Sequence, residues 1–156
     1  MDQFYGIEYE EFPAQIAQVA LWLTDHQENM RVSEEFGQYF RRLPLKKSAH
    51  IRHGNALAFD WNELIPASQL TYILGNPPFV GGKNMNPEQR ADMGRTFAGV
   101  PGAGVLDYVA AWYLRAAQMI QSTQIEVGFV STSSICQGEQ PGILWPKLLD
   151  DYKIQI

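Results

Sequence analysis

A chain of 156 residues with 46% hydrophobic and 12% aromatic content is long enough for one domain with a sizeable core and too apolar for disorder. Its one cysteine, Cys136, excludes an internal disulfide framework and fits a reducing, cytoplasmic setting; no apolar run approaches membrane-spanning length, and the acidic N-terminus lacks the basic segment of a secretory signal. A net charge of −5, from 12 Lys+Arg against 17 Asp+Glu, is the wrong sign for a surface that must by itself neutralise many phosphates.

Residues 3–8 read as a short strand ending at an acid, Glu8. Apolar positions then recur at helical spacing, through Phe12, Ile16, Val19, Ala20 and Leu23. Pro13 falls in the first turn, which tolerates proline, so a helix is expected over 11–29. Residues 30–48 are polar and basic and read as a loop; Arg41-Arg42 and Lys46-Lys47 form a small basic cluster there, most simply a solvated one. A weak strand over 49–52 leads into Gly54-Asn55, and 56–69 is a loop or short helical turn. A buried apolar strand is expected over 70–74, followed by Gly75 and the quartet Asn76-Pro77-Pro78-Phe79. Gly81-Gly82-Lys83 continue a mobile connection. Asn86 and Pro87 are the cap and first position of a helix over 87–95. Residues 99–104 are a glycine-rich loop whose spacing does not fit the dinucleotide fingerprint. Asp107 caps an apolar helix running to about Gln121, 126–132 is a strand, and 145–150 is a last helix. Trp22, Trp112 and Tyr113 fall on helical faces and are expected in the core. Strands alternating with helices argue an α/β fold with a mainly parallel sheet.

The quartet carries the chemistry. Ligands of open α/β sheets bind outside the carboxyl ends of strands. An exocyclic adenine amine is a poor nucleophile because its lone pair is delocalised into the ring. Two acceptors on its hydrogens favour the localised form that attacks a methyl sulfonium. The side-chain oxygen of Asn76 can be one acceptor. The carbonyl of Pro77 can be the other, since proline keeps its C=O while lacking an N–H. Pro78 stiffens the turn, and Phe79 offers a ring to stack on an extruded base. No general base with a strongly shifted pKa is needed, because the proton can leave after methyl transfer. The same four residues also suit a plain strand-ending turn. Glu8, at the end of the first strand, has the oxygens to accept from both hydroxyls of a ribose; its plain reading is a surface acid. His50 and His53 lack the further ligands of a metal site, so no metal is expected. Ser131, Thr132, Ser133 and Ser134 lack the elbow or triad spacing of a nucleophile.

The sequence resembles the N6-adenine DNA methyltransferases with an Asn-Pro-Pro-Tyr or Asn-Pro-Pro-Phe motif. The likeness is greatest to the methylase portion of large single-chain restriction–modification enzymes. It rests on residues 4–10, 20–23, 53–57, 75–79 with Gly81-Gly82, Asp107-Tyr108 and 127–132, in order and at sensible spacing. The resemblance implies methyl transfer from S-adenosylmethionine to a flipped adenine of DNA, with Asn76, Pro77, Pro78 and Phe79 at the reacting amine. It implies Glu8, Tyr9, Asn55, Ala56, Asn76 and Asp107 around the cofactor: Glu8 on the ribose, Tyr9 flanking the cofactor adenine, Asn55 on its amine. Related enzymes usually carry Asp at the position of Asn55, and a neutral acceptor is weaker than a charged one. A separate recognition domain would supply most DNA contacts, which accommodates an acidic catalytic piece.

The resemblance also implies that residues 1–156 are a partial methyltransferase catalytic domain of Rossmann-like αβα layers, lacking the first strand with its glycine-rich loop and the C-terminal hairpin. Such a piece is expected to be inactive alone, to bind S-adenosylmethionine weakly, and to self-associate through unpaired strand edges. Two other readings share the same residues. One is methylation of a protein glutamine amide, which uses the same quartet. The other is a non-enzymatic remnant acting as a binding module.

Overall fold

The computed structural model describes residues 3–38 and 50–156, so the basic cluster at Arg41-Arg42 and Lys46-Lys47 lies outside the described residues. The chain divides into two compact units, Met1–Phe59 and Asp60–Ile156.

The first unit is a strand–helix–strand crossover. Strand β1, Tyr5–Glu8, pairs in parallel with β2, His50–His53, in the register Tyr5↔His50 to Glu8↔His53. A parallel pair needs a long connection. Helix α1, Glu11–Phe36, is part of it and packs on both strands. Gly6 is needed where it stands: a Cβ there would meet the Ile51 side chain at 2.6 Å. Helix α1 runs seven residues beyond the expected 29. Its polar second half is made of good helix formers and i,i+3 pairs such as Glu28–Arg31 at 3.0 Å, and it stops at Gly37 in the left-handed conformation, φ 64°. The helical stripe is real, but it is not a core stripe in this unit. Of the helix only Ala14 is buried, and Phe12, Ile16, Val19 and Leu23 are exposed. Trp22 is half-buried and stacks on His26. His50 stacks on Tyr5, with ring centroids 4.6 Å apart. His53, three residues further along a strand, belongs to the opposite face.

The second unit holds the larger core. Strand β3, Tyr72–Gly75, pairs in parallel with β4, Glu126–Phe129, in the register Tyr72↔Glu126 to Gly75↔Phe129. Helix α2, Pro87–Thr96, starts with a full capping box: the Asn86 side chain accepts the Gln89 amide at 2.8 Å, and the Gln89 side chain accepts the Asn86 amide at 3.0 Å. Helix α3, Ala110–Met119, is the centre of the core, burying Ala110, Ala111, Leu114, Ala116 and Ala117. Leu106, Leu144 and Leu148 pack there too, the last two from helix α4, Pro141–Pro146, and the π-helical turn Lys147–Asp151 that follows it. Tyr113 meets Phe129 and Trp145 edge to face, and Trp112 meets Tyr108 likewise. Asp92, 1% exposed, is a buried charge; it accepts from the Tyr108 hydroxyl at 2.6 Å and pairs with Arg95.

The fold is mixed α/β with parallel strand pairs, as alternation of the elements requires. Among the described residues the strands form two two-stranded ladders rather than one sheet. Strand β3 is not the buried strand expected from its apolar run. Tyr72 and Leu74 are 60% and 79% exposed and alternate with half-buried Ile73 and Gly75, so no residue of β3 is fully buried. No described helix is long and apolar enough to cross a membrane.

Candidate functional site

The ladder of the second unit ends where the quartet begins. The Val130 amide donates to the Gly75 carbonyl at 2.9 Å, the last bond of the β3–β4 pairing. Asn76 then leaves the strand, and two prolines, without N–H groups, prevent its continuation. Pro77 is buried; Asn76 and Pro78 are exposed, and Phe79 is half exposed. A buried anchor therefore holds a turn that presents an amide and an aromatic ring.

The segment after the quartet is not a loose connection. The Val80 carbonyl accepts the Tyr108 amide at 2.9 Å, and the Gly82 amide donates to Asp107 Oδ1 at 2.8 Å. Gly82 sits so close to the backbone of Val105 and Leu106 that a Cβ would lie 3.1 Å from the Leu106 carbonyl oxygen. Asp107 is therefore not the side-chain cap of α3. Val109 occupies that position without a side-chain bond, and only the Asp107 backbone carbonyl serves the helix, accepting from Ala110 at 3.0 Å. Its carboxylate is turned instead to the loop. Oδ2 accepts the Ser134 hydroxyl at 2.6 Å, and the Asp107 amide donates to Gln140 Oε1 at 2.9 Å. Partial burial pushes the Asp107 carboxyl up, but hydrogen bonds from Ser134, Gln140 and Gly82 outweigh this and hold it below the ordinary carboxylate value.

The remaining candidates lie in the first unit, at the carboxyl end of the β1–β2 pair. Gly54 extends that ladder by donating to the Glu8 carbonyl at 2.8 Å. Glu8 Oε1 accepts the Glu10 amide at 3.1 Å, which shapes the turn into α1. A carboxylate has further acceptor capacity beyond one such bond. Tyr9 is exposed. Asn55 Oδ1 accepts the Leu57 amide at 2.9 Å, an Asx turn, so the turn reading of Gly54-Asn55 holds. Ala56 follows within it, half-buried. Each unit thus groups its own candidates at the carboxyl ends of its parallel strands: Glu8, Tyr9, Asn55 and Ala56 in one, Asn76 to Phe79 with Asp107 in the other.

A family model for the MmeI DNA-methyltransferase domain matches residues 1–156. The chain belongs to that family. DNA methyltransferase A of Bacillus subtilis (strain 168) is 41% identical over 159 residues, covering 100% of this chain and 18% of that protein. The solved structure of the Type IIL restriction-modification enzyme MmeI in complex with DNA matches at 58% identity with a TM-score of 0.91, over 96% of this chain and 20% of that one. The chain spans about a fifth of the length of the relatives it matches.

In this MmeI-type domain three residues of the second unit escaped the sequence reading: Thr132, Ser134 and Gln140. The hydroxyl run 131–134 is visible in the sequence, but it suggests a nucleophile or, for Ser131 and Thr132, part of the family resemblance, and not a partner of Asp107. The useful signal was its place immediately after a strand parallel to the one that ends at the quartet. A groove of about 850 Å³ between α3, β4 and residues 152–156 is lined by Tyr113, Phe129, Trp145 and Leu148; its lining includes none of the quartet residues and not Asp107.

Proposed function

We propose that this domain, within its intact protein, methylates the N6 amine of an adenine extruded from DNA. The carrying observation is the exposed Asn76 and Phe79 on a proline turn at the carboxyl end of a parallel strand, in a chain matched over its whole length by a DNA-methyltransferase family. Asn76 and the Pro77 carbonyl accept from the amine hydrogens and localise its lone pair. That interaction strengthens as the nitrogen becomes tetrahedral, so it acts on the transition state more than on binding. Phe79 stacks on the base, and Pro78 limits the turn's freedom. The released proton passes to water.

S-adenosylmethionine supplies an electrophilic methyl group when bound. The donor set of the first unit suits its nucleoside end: Glu8, at a strand end with acceptor capacity left, for the ribose hydroxyls; Tyr9 and Ala56 beside the cofactor adenine; and the Asn55 side chain, already committed in part to its own turn, as a weaker acceptor for the adenine amine. Asp107 is better suited to holding the loop after the quartet than to touching the cofactor, since Gly82 and Ser134 occupy its carboxylate. DNA is the partner favoured, because the relative at 58% identity was solved with DNA, and this reading takes the reaction to run in the bacterial cytoplasm. The partial Rossmann-like arrangement is supported by the two parallel pairs with their candidates at the carboxyl ends.

The test is direct. Full-length protein is incubated with duplex DNA and labelled S-adenosylmethionine, with a glutamine-containing peptide as the competing substrate. Formation of N6-methyladenine is expected. Label on the peptide alone, or on neither substrate, would overturn the reading.

A further inference from the structure

The quartet is fixed on both sides, and the fixing groups come from outside it. Before it, Gly75 is held by the Val130 amide at the end of β4. After it, Val80 and Gly82 are held by the backbone of Tyr108 and the carboxylate of Asp107. Between these clamps the side chains of Asn76, Pro78 and Phe79 are exposed. The clamp after the quartet has a backing. Ser134 Oγ donates to Asp107 Oδ2 at 2.6 Å and lies 2.5 Å from Thr132 Oγ1. A hydroxyl has one hydrogen, and an ionised carboxylate can only accept. Ser134 must therefore give its hydrogen to Asp107, and Thr132 must give its own to Ser134. The direction of the chain is thereby settled: Thr132 to Ser134 to Asp107, with the Gly82 amide entering the carboxylate from the other side.

We propose that Ser134, backed by Thr132, is a positioning residue for the methyl transfer: it aims the Asp107 carboxylate at Gly82 and so sets the turn that presents Asn76 and Phe79. The inference rests on the function proposed above. A charge-assisted bond of this kind is stronger than a neutral one, and Ser134 reaches Asp107 across 27 residues of sequence, from the far side of β4. Small displacements of a reacting group cost rate even when nothing touching the substrate is changed. Partial burial of Thr132, Ser134 and Asp107 limits competition from water.

The experiment uses the full-length protein and the variants Ser134→Ala, Ser134→Thr and Thr132→Val. Two readouts are taken: steady-state methylation of duplex DNA, and hydrogen–deuterium exchange over residues 79–84. For Ser134→Ala, exchange in 79–84 should accelerate while α3 is unchanged. Its kcat should fall on the order of tenfold with KM for the cofactor unchanged. Ser134→Thr, which keeps the hydroxyl, should recover most of the loss. Thr132→Val should act in the same direction but less, and it stands in for Ser134→Ala if that variant does not fold. Unchanged exchange in 79–84 overturns the clamp whatever the activity. Faster exchange with unchanged kcat overturns the positioning role. Wild-type protein that methylates no adenine overturns the proposed function, and exchange alone then decides the clamp.

Discussion

Asp107 Oδ1 accepts the backbone amide of Gly82 at 2.8 Å, joining residues 25 apart in sequence across the loop that follows the Asn-Pro-Pro-Phe turn. This bond makes Gly82 a position where size matters. A methyl group there would stand 3.1 Å from the Leu106 carbonyl oxygen and 3.3 Å from that of Val105, and backbone yields less readily than a side chain.

Gly82→Ala should therefore destabilise the protein by about 1–3 kcal/mol, the usual cost of forcing extra volume into a packed site. Thermal unfolding measures it. Wild type is the reference; Gly94→Ala, inside α2 with nothing within 4 Å of a Cβ, should instead gain stability from helix propensity. A Gly82→Ala midpoint no lower than that of wild type would show that the loop yields freely.

Much of this was legible in the sequence, for local reasons. Asn86-Pro87 gave the start of α2, since a capping box and an N1 proline are written in adjacent residues. The quartet at a strand end was legible because proline cannot continue a ladder. Three features were not. The length of α1 was missed because polar helix formers resemble a loop until Gly37 is seen to end them. The exposure of Leu74 was missed because an apolar run does not reveal how many neighbours a strand has. The role of Asp107 was misassigned because a cap and a distant clamp demand the same residue type. Ser134 and Gly82, its partners, are 27 and 25 residues away, beyond any local pattern.

In the full-length protein Asn76→Ala should abolish methylation of DNA while leaving cofactor affinity nearly unchanged, since the lost acceptor matters in the transition state. Phe79→Ala should weaken capture of the target base by about 1–3 kcal/mol, the range for one stacked base. Single-turnover kinetics and titration with cofactor separate these effects. Normal turnover in Asn76→Ala would refute the assignment.

The Asp107 carboxyl also predicts a pH dependence. Its folded-state pKa lies below the ordinary value of about 3.9, so its contribution to stability is fully present above the unfolded value. It is lost as pH falls through the folded value. The difference in thermal midpoint between wild type and Asp107→Asn should be full at neutral pH and should close on acidification below about pH 4. A difference that persists unchanged into acid would mean that the carboxylate charge plays no part.

Tyr108→Phe should cost about 1–3 kcal/mol by removing a donor from the buried Asp92 carboxylate. Arg95 still pairs with that carboxylate, which favours the lower part of the range. Denaturant unfolding gives the value, and a change within error would mean that Asp92 finds a replacement donor.

The 156-residue polypeptide, prepared by itself, should self-associate. Among the described residues each strand belongs to a two-stranded ladder, so each has one edge without a ladder partner. Such edges are templates for pairing with another chain. Apolar side chains stand beside them: Leu74 is 79% exposed and Tyr72 60% on β3, with Val130 just past β4 and Phe12, Ile16 and Val19 on α1 also exposed. Charged residues on an edge would oppose association, and Glu126 is the charged residue of the β3–β4 ladder. Glu126 in one ladder and Glu8 with Arg52 in the other are a weak defence against several exposed apolar groups. Light scattering over a concentration series should show mass rising with concentration. Leu74→Lys, which places a charge on the exposed side of β3, should shift the rise to higher concentration without lowering helix content. A strictly monomeric, cooperatively unfolding species at high concentration would show that these surfaces are closed within one chain.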